Sequence, residues 1–440
     1  MTLLDPHAAA REAGDRPALV LAERDGETIA FGALAATRAP AEADALRVIP
    51  ATSEPDHLRA LYAALAARTP VLPLDPRLAA DERDALLAAV RDARRAPVAG
   101  ANGTAPLAIV ATSGTGGAPC GVELSHDAWG AAVRASAAHL GTRRDDLWAL
   151  ALPWAHVGGL AVLLRGLAAR VPVLVTGRFE PGRLARALAA HRATLLSLVP
   201  AMLDRLLELP DRLFPPSSLR AVLVGGAATP DRLVARARRR GVPVLRTWGM
   251  TETCGQVATE PPDRPEAGLR ALPGLEVRSR DGRLEVRGPT LATARHPGGP
   301  LPRTADGFFR TGDLGEVLED GRVVVHGRAD GRIVSGGEKI VPEQVEAVLL
   351  DLPWIAEAVV FGVEDDRWGQ IVAAALVACG PRPDDEALAG AIAARLGPAR
   401  RPRRVAWLDE LPRRGPGKPD RRACAALAGG RLQALHYGER

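Results

Sequence analysis

Apolar runs of strand length alternate with Ala/Leu/Arg-rich stretches of helical period along most of the chain. Residues 107–111 predict a buried strand. A Gly/Thr/Ser loop follows, then a short strand at 122–124 and a helix that Ser125 is placed to cap. A strand at 195–199 leads to a helix opened by Pro200 and running to about residue 209. Residues 221–224 form a strand ending in Gly225-Gly226. Thr229-Pro230 then caps and starts a helix that stops at Gly241, and residues 242–245 return as a strand. This repetition predicts an α/β fold with substantial parallel sheet.

The pattern changes after Pro273. Short strands at 284–286 and 322–326 sit among Gly-rich turns. A helix from Pro342 to about 350, strands at 357–362 and 372–377, and a helix at 384–396 ending at Gly397 predict a small α+β domain. The polar, glycine-flanked segment Gly327-Arg328-Ala329-Asp330-Gly331 is a candidate hinge before it. There is no internal repeat and no long low-complexity tract.

At 440 residues the chain is long enough for at least two domains with full cores. Aromatics make up only 3%, and the net charge of +5 is spread along the chain, its densest runs being 236–240 and 400–404. A nucleic-acid partner is therefore not expected. Four cysteines without a CxxC pair argue against a zinc or disulfide framework and fit a reducing compartment. The start Met1–Pro6 lacks the basic and apolar parts of a signal peptide. Arg165 and Arg170 interrupt the longest apolar stretch, 160–175, so no membrane partner is expected either. These observations predict a cytoplasmic protein and leave its oligomeric state open, a homo-oligomer included. Of 57 basic residues only Lys339 and Lys418 are lysines.

Five segments carry candidate chemistry. In Thr112-Ser113-Gly114-Thr115-Gly116-Gly117-Ala118-Pro119, glycines let several backbone N–H groups face one anion and hydroxyls add donors; an ordinary surface loop is the alternative. The Lys of a P-loop is absent. Trp248-Gly249-Met250-Thr251-Glu252 is placed directly after a strand, where ligands gather in open α/β sheets. Glu252 there could hold Mg²⁺ against phosphates or be a plain loop acid. Asp313, in Arg310-Thr311-Gly312-Asp313-Leu314, could accept ribose hydroxyls or simply cap a turn. The Gly327–Asp330 segment is followed by Ile333-Val334-Ser335-Gly336-Gly337-Glu338. Lys418 lies in the Gly/Pro loop from Leu411 to Arg421, where a compact ammonium could reach a phosphoryl or carboxylate oxygen or be solvated.

In this order and spacing the five segments resemble the adenylate-forming superfamily of acyl-CoA synthetases, adenylation domains and luciferases, from about Leu107 to Arg422. Within it, Leu152–Leu160, Gly249–Gln256, Ser335–Glu338 and Arg367–Gln370 are most similar to the o-succinylbenzoyl-CoA synthetases of menaquinone biosynthesis. The resemblance implies an N-terminal AMP-binding and acyl-substrate domain over 1–329, and a mobile C-terminal domain over 330–440 with its hinge at Asp330. It implies ATP, Mg²⁺, coenzyme A and a small carboxylic acid as ligands. Thr112, Ser113, Gly114 and Thr115 would wrap the phosphates, Thr251 would meet the α-phosphate, and Glu252 would hold the metal. Gly226 and Ala227 would lie along the adenine, beside Trp248 and Gly249, and Asp313 and Arg328 would hold the ribose. His156 would border the acyl pocket. Lys418 would bridge carboxylate and α-phosphate, and Gly336 and Gly337 would line the CoA tunnel.

Two residues depart from the family pattern. Cys120 stands where the phosphate loop usually has lysine, which predicts weakened ATP use. Trp248 stands where tyrosine is more common. Besides an acid–CoA ligase, two readings stay open. One is an adenylation enzyme with another aryl or acyl acid and a carrier-protein, amine or nitrite acceptor. The other is a nucleotide-binding protein that has lost catalysis.

Overall fold

The computed structural model describes residues 3–37, 46–95, 105–113, 119–414 and 418–437, the side chains of 92–95, 113, 119, 414 and 418 aside. The alternating pattern builds a mixed sheet of thirteen strands among these residues. Its parallel part runs, in spatial order, Val244–Met250, Ala221–Val224, Leu195–Leu198, Trp148–Leu150, Val173–Val175 and Pro17–Leu21. These strands are short and Val/Leu-rich because helices cover them. Leu203, Leu206, Val234 and Ala237, from helices Pro200–Leu207 and Asp231–Arg239, pack in one core with Val222, Val224 and Val244.

The amino ends of the parallel strands are tied by a buried ion pair. Asp146 is 1% exposed and accepts from Arg220 Nε and Nη2 at 2.7 and 2.6 Å and from Thr194 Oγ1 at 2.8 Å. Burial alone would raise its carboxyl, but these donors outweigh burial and hold it below the ordinary range.

Beyond Val244–Met250 the sheet turns antiparallel through Gly255–Thr259, Leu269–Ala271, Arg322–Arg328 and Phe309–Val317. A second sheet holds the hairpin Pro106–Ser113/Pro119–Ser125, with Ala294–His296 laid antiparallel against it. From Ile333 onward a third sheet, centred on the hairpin Ile355–Asp365/Gly369–Ala378, has cores drawn only from residues beyond 332. The chain thus folds as α/β with a separate small α+β unit. No helix among the described residues is long and apolar enough to cross a membrane.

Four local expectations are corrected. The helix opened by Pro200 stops at Leu207 rather than 209, because Pro210 disfavours helical geometry at Leu209. Thr229 caps nothing: Pro230 occupies the N-cap of helix Asp231–Arg239 without a side-chain bond, and Asp231 in the first turn complements the helix end instead. The strand placed at 242–245 starts at Val244 and continues to Met250. Trp248 and Gly249 therefore lie in a strand, where Gly249 is required because a Cβ would stand 1.9 Å from the Gly255 carbonyl oxygen. Asp313 is in mid-strand, not in a turn, directly opposite Arg328. Its flanking glycines permit close approach rather than turning: a Cβ on Gly312 would meet the Arg328 guanidinium at 2.5 Å.

Candidate active site

Two neighbouring parallel strands end on one side at Val199 and at Gly225-Gly226-Ala227, while the third, parallel-paired only as far as Arg246, runs on through Trp248 and Gly249 to Met250. Gly226 has φ of 80°, the left-handed region open to glycine. Beside this edge Trp248 donates its indole N–H to Asp313 Oδ2 at 2.9 Å. Arg328 Nη1 is 3.5 Å from Asp313 Oδ1, and the same guanidinium donates to both carboxylate oxygens of Asp330 at 3.0 and 2.8 Å. The Asp330 hydrogen bonds raise the Arg328 pKa against the opposing effect of burial, with Asp313, Asp330 and Glu252 adding charge attraction.

Thr251 and Glu252 open the one-turn 3₁₀ segment Thr251–Thr253 after the strand, which Cys254 closes in the left-handed region at φ 55°. The Glu252 carbonyl accepts from Ala292 N at 2.8 Å, and its carboxylate accepts from Arg295 Nη2 at 2.6 Å. Thr112 is paired with Cys120 across the hairpin Pro106–Ser113/Pro119–Ser125 and donates to its carbonyl at 3.3 Å. Ser113 pairs with Pro119 through the backbone, while Gly114 and Thr115 lie outside the described residues. Burial pushes the Cys120 thiol up; Arg295 opposes this and Glu252 adds to it. Contacts link Trp248, Asp313 and Arg328 in one group and Glu252 and Arg295 in another, and charge attraction acts between Arg328 and Glu252 and from Arg295 on the Cys120 thiol.

His156 sits at the N-cap of helix Val157–Ala169, its Nε2 3.7 Å from Asp75 Oδ2. That spacing is an ion-pair approach rather than a hydrogen bond. Burial would raise the Asp75 carboxyl, but His156 and hydrogen bonds from Arg77 hold it well below the usual range.

Two residues of this region were absent from the sequence-derived set. Arg165 is fully buried on the same helix, donates to Gln256 Oε1 at 2.6 Å and stacks 5.0 Å over Trp148. Burial pulls its pKa down to about 10, and among the described residues no carboxylate pairs with it. An arginine amid an apolar helix was the available signal. Arg295 had none, since its strand of three residues is recognisable only once paired.

The remaining candidates lie in the C-terminal unit. Lys418 pairs with Arg414 in a two-residue ladder; its side chain is outside the described set. Just beyond it, Arg421 anchors the chain by donating to Val360 O, Glu343 and Glu346 at 2.8, 3.2 and 2.7 Å. Gly336 and Gly337 form the turn of another hairpin, with φ of 56° and 86°. A Cβ on Gly336 would strike the Trp368 ring at 2.6 Å. The Gly336 N–H donates to the Trp368 carbonyl at 2.9 Å, within the C-terminal unit.

Among the described residues no group of three or more His, Cys, Asp or Glu could cage a metal alone. A single carboxylate such as Glu252 fits Mg²⁺, which keeps water and phosphate oxygens as its other ligands.

Carboxylates and guanidinia at the carboxyl edge of a parallel sheet, joined to a small C-terminal unit, fit an adenylate-forming enzyme. The chain belongs to the AMP-binding enzyme family, whose model matches residues 90–292 and whose C-terminal domain model matches residues 344–418. It is 35% identical over 338 residues to the 2-succinylbenzoate–CoA ligase of Bacillus cereus, covering 73% of this chain and 70% of the relative. The enzyme of the same description from Bacillus licheniformis is 36% identical over 326 residues, with 70% and 68% covered. The o-succinylbenzoate CoA synthetase of Bacillus subtilis, solved with its acyl-adenylate intermediate, superposes with a TM-score of 0.82 at 28% identity over 95% of this chain and 96% of that one. A double mutant of that synthetase bound to a CoA-containing product analogue gives 0.65 at 27% identity, over 96% and 98%.

Proposed function

We propose that this chain activates o-succinylbenzoate with ATP and transfers the acyl group to coenzyme A. In the first half-reaction a carboxylate oxygen attacks the α-phosphorus of ATP, the bond to pyrophosphate breaks, and acyl-AMP forms. In the second, the CoA sulfur attacks the acyl carbon and AMP leaves. Adenylation is carried chiefly by Trp248, Asp313, Arg328 and Glu252. Asp313 and Arg328 would hold the ribose, and Gly226 and Ala227 would lie along the adenine. Mg²⁺ at Glu252 would offset phosphate charge. Thr112, Ser113, Gly114 and Thr115 would donate to the phosphates, and Thr251 to the α-phosphate. Lys418 would neutralise charge at the reacting oxygens as pyrophosphate departs.

The choice of acid rests on the ligases that this chain resembles. Arg165 supports it: o-succinylbenzoate has two carboxylates, only one is activated, and a buried unpaired guanidinium suits the other. His156 would border the acyl pocket.

Both Lys418 and Gly336-Gly337 must serve one acyl carbon from different hairpins, which supports two arrangements of residues 330–440 relative to residues 1–329. The two TM-scores support this as well. At nearly equal coverage and identity the same relative matches at 0.82 with the adenylate and at 0.65 with the CoA analogue, as a displaced unit would produce. Gly336 and Gly337 would then line the CoA path.

The test is incubation with ATP, Mg²⁺, CoA and a panel of carboxylic acids, with mass detection of acyl-AMP and acyl-CoA. Formation of o-succinylbenzoyl-CoA above the other thioesters is expected. Adenylation of a different acid, or transfer only to an amine or carrier thiol, would overturn the assignment.

A further inference from the structure

Adenylation places the four-fold negative charge of ATP beside a loop, Thr112–Gly121, that contains neither lysine nor arginine. The fold brings a guanidinium there from a distant part of the sequence. Strand Ala294–His296 lies antiparallel on Pro119–Ser125, with Arg295 opposite Val122 and His296 opposite Gly121. Side chains alternate along strands, so Cys120 and Val122 share a face, and Arg295 is the diagonal neighbour of Cys120 on it. Thr112, directly opposite Cys120, belongs to the same face. The Cys120 sulfur lies 3.9 Å from the Pro297 carbonyl oxygen, which places strand 294–296 against the loop's exit.

Resting on the adenylation reading above, we propose that Arg295 is the cationic ligand of the ATP β- and γ-phosphates, and of pyrophosphate, in this chain. Its guanidinium is held 2.6 Å from the candidate metal carboxylate Glu252 and 5.4 Å over the Phe309 ring. It remains 36% exposed, and among the described residues its hydrogen bond to Glu252 leaves the other donors of the fork without an acceptor. A planar fork with free donors beside a metal-binding carboxylate matches a bidentate phosphate ligand. In the nucleotide-free protein Glu252 screens that charge. With nucleotide bound, the free edge of the fork meets phosphate oxygens. His296, next along the strand, faces the opposite way and pairs with Glu123 at 3.1 Å, which fixes the strand and with it the direction of Arg295.

The test is calorimetric titration of MgATP, inorganic pyrophosphate and AMP, without any acid, into the whole chain and three variants. In Arg295→Ala the affinity for MgATP and pyrophosphate falls by roughly tenfold to a hundredfold, the scale of a lost charge-assisted hydrogen-bond pair. AMP affinity stays within about twofold of wild type, because AMP lacks the phosphates in question, and this also reports an intact fold. Arg295→Lys retains part of the MgATP affinity. The double variant Arg295→Ala/Cys120→Lys recovers most of it by placing a charge on the same face. Unchanged MgATP affinity in Arg295→Ala overturns the proposal. So do equal losses for MgATP and AMP, which mark a residue supporting the nucleotide site as a whole, and a double variant no better than Arg295→Ala, which marks a residue that acts only by holding Glu252 in place. A wild-type chain that binds neither nucleotide overturns the adenylation reading itself, whereas wild-type binding without adenylation of o-succinylbenzoate overturns only the choice of acid.

Discussion

Trp248 and Asp313 meet through a hydrogen bond from the indole Nε1 to Oδ2, at 2.9 Å, linking the end of the parallel sheet to its antiparallel extension. The departure from tyrosine at position 248 therefore keeps a donor directed at Asp313, the proposed ribose ligand. A carboxylate has about four acceptor sites, so Asp313 can take this donor and ribose hydroxyls together. Trp248→Phe removes the donor and keeps an aromatic ring. AMP affinity should fall by about tenfold, the scale of one hydrogen bond to a charged group. Calorimetry with AMP measures this, and an unchanged affinity would detach Trp248 from the nucleotide site.

Much of the site could be read from the sequence because its chemistry is local. Glu252 and Asp313 each sit in a short segment of distinctive composition, and the order of the segments carried the rest. Strand 221–224 was readable to the residue, as a continuous apolar run stopped by two glycines. Misreadings arose where glycine serves packing instead of turning, as at Gly249 and Gly312, since a sequence does not say what a missing Cβ would have struck. Arg295 could not be seen because its function depends on cross-strand register over more than 170 residues of separation. Arg165 was visible as a charge in an apolar helix, but only the fold shows that it has no acidic partner among the described residues.

Lys418→Ala should lower acyl-AMP formation by roughly two to three orders of magnitude, the scale for losing one donor aimed at transition-state charge. Transfer from preformed acyl-AMP to CoA should be spared. The rapid-quench rate of pyrophosphate release with the acid present reads the first effect. Adenylation at the wild-type rate would remove Lys418 from the chemistry.

The Asp146–Arg220 pair should contribute to the acid sensitivity of the large unit. Asp146 has a lowered carboxyl pKa in the fold, so its contribution is complete above the unfolded value near 3.8 and is lost as pH falls through the lower folded value. Removing one partner of a buried pair costs about 3–5 kcal/mol, so Asp146→Ala should unfold at clearly lower urea at pH 7. Near pH 2 the gap between wild type and variant should narrow. A gap that is constant from pH 7 to pH 2 would show that the carboxylate charge is not what stabilises this end of the sheet.

Asp330 is the proposed pivot between the two half-reactions. Upstream, the backbone is fixed by the Ala329 N–H bond to the Gly312 carbonyl at 2.8 Å and by strand pairing through Arg328. Downstream, Arg332 donates back to the Ala329 carbonyl at 3.2 Å, and the next strand, Ile333–Ser335, already belongs to the C-terminal core. A large backbone change between the two units must therefore fall on very few residues, and hinges of this kind are short. The Arg328–Asp330 clamp sits at that point, so rotation would break or rebuild a contact made by a ribose ligand, coupling the pivot to nucleotide occupancy. Asp330→Pro fixes φ near −65° and removes the clamp, while Asp330→Ala removes the clamp alone. Adenylation should be similar in the two variants. CoA transfer from acyl-AMP should be slower in Asp330→Pro than in Asp330→Ala by about tenfold or more, the scale of one to two kcal/mol of backbone restriction. Both half-reactions measured on the same preparations decide the matter: equal transfer rates in the two variants would move the pivot elsewhere in 327–332.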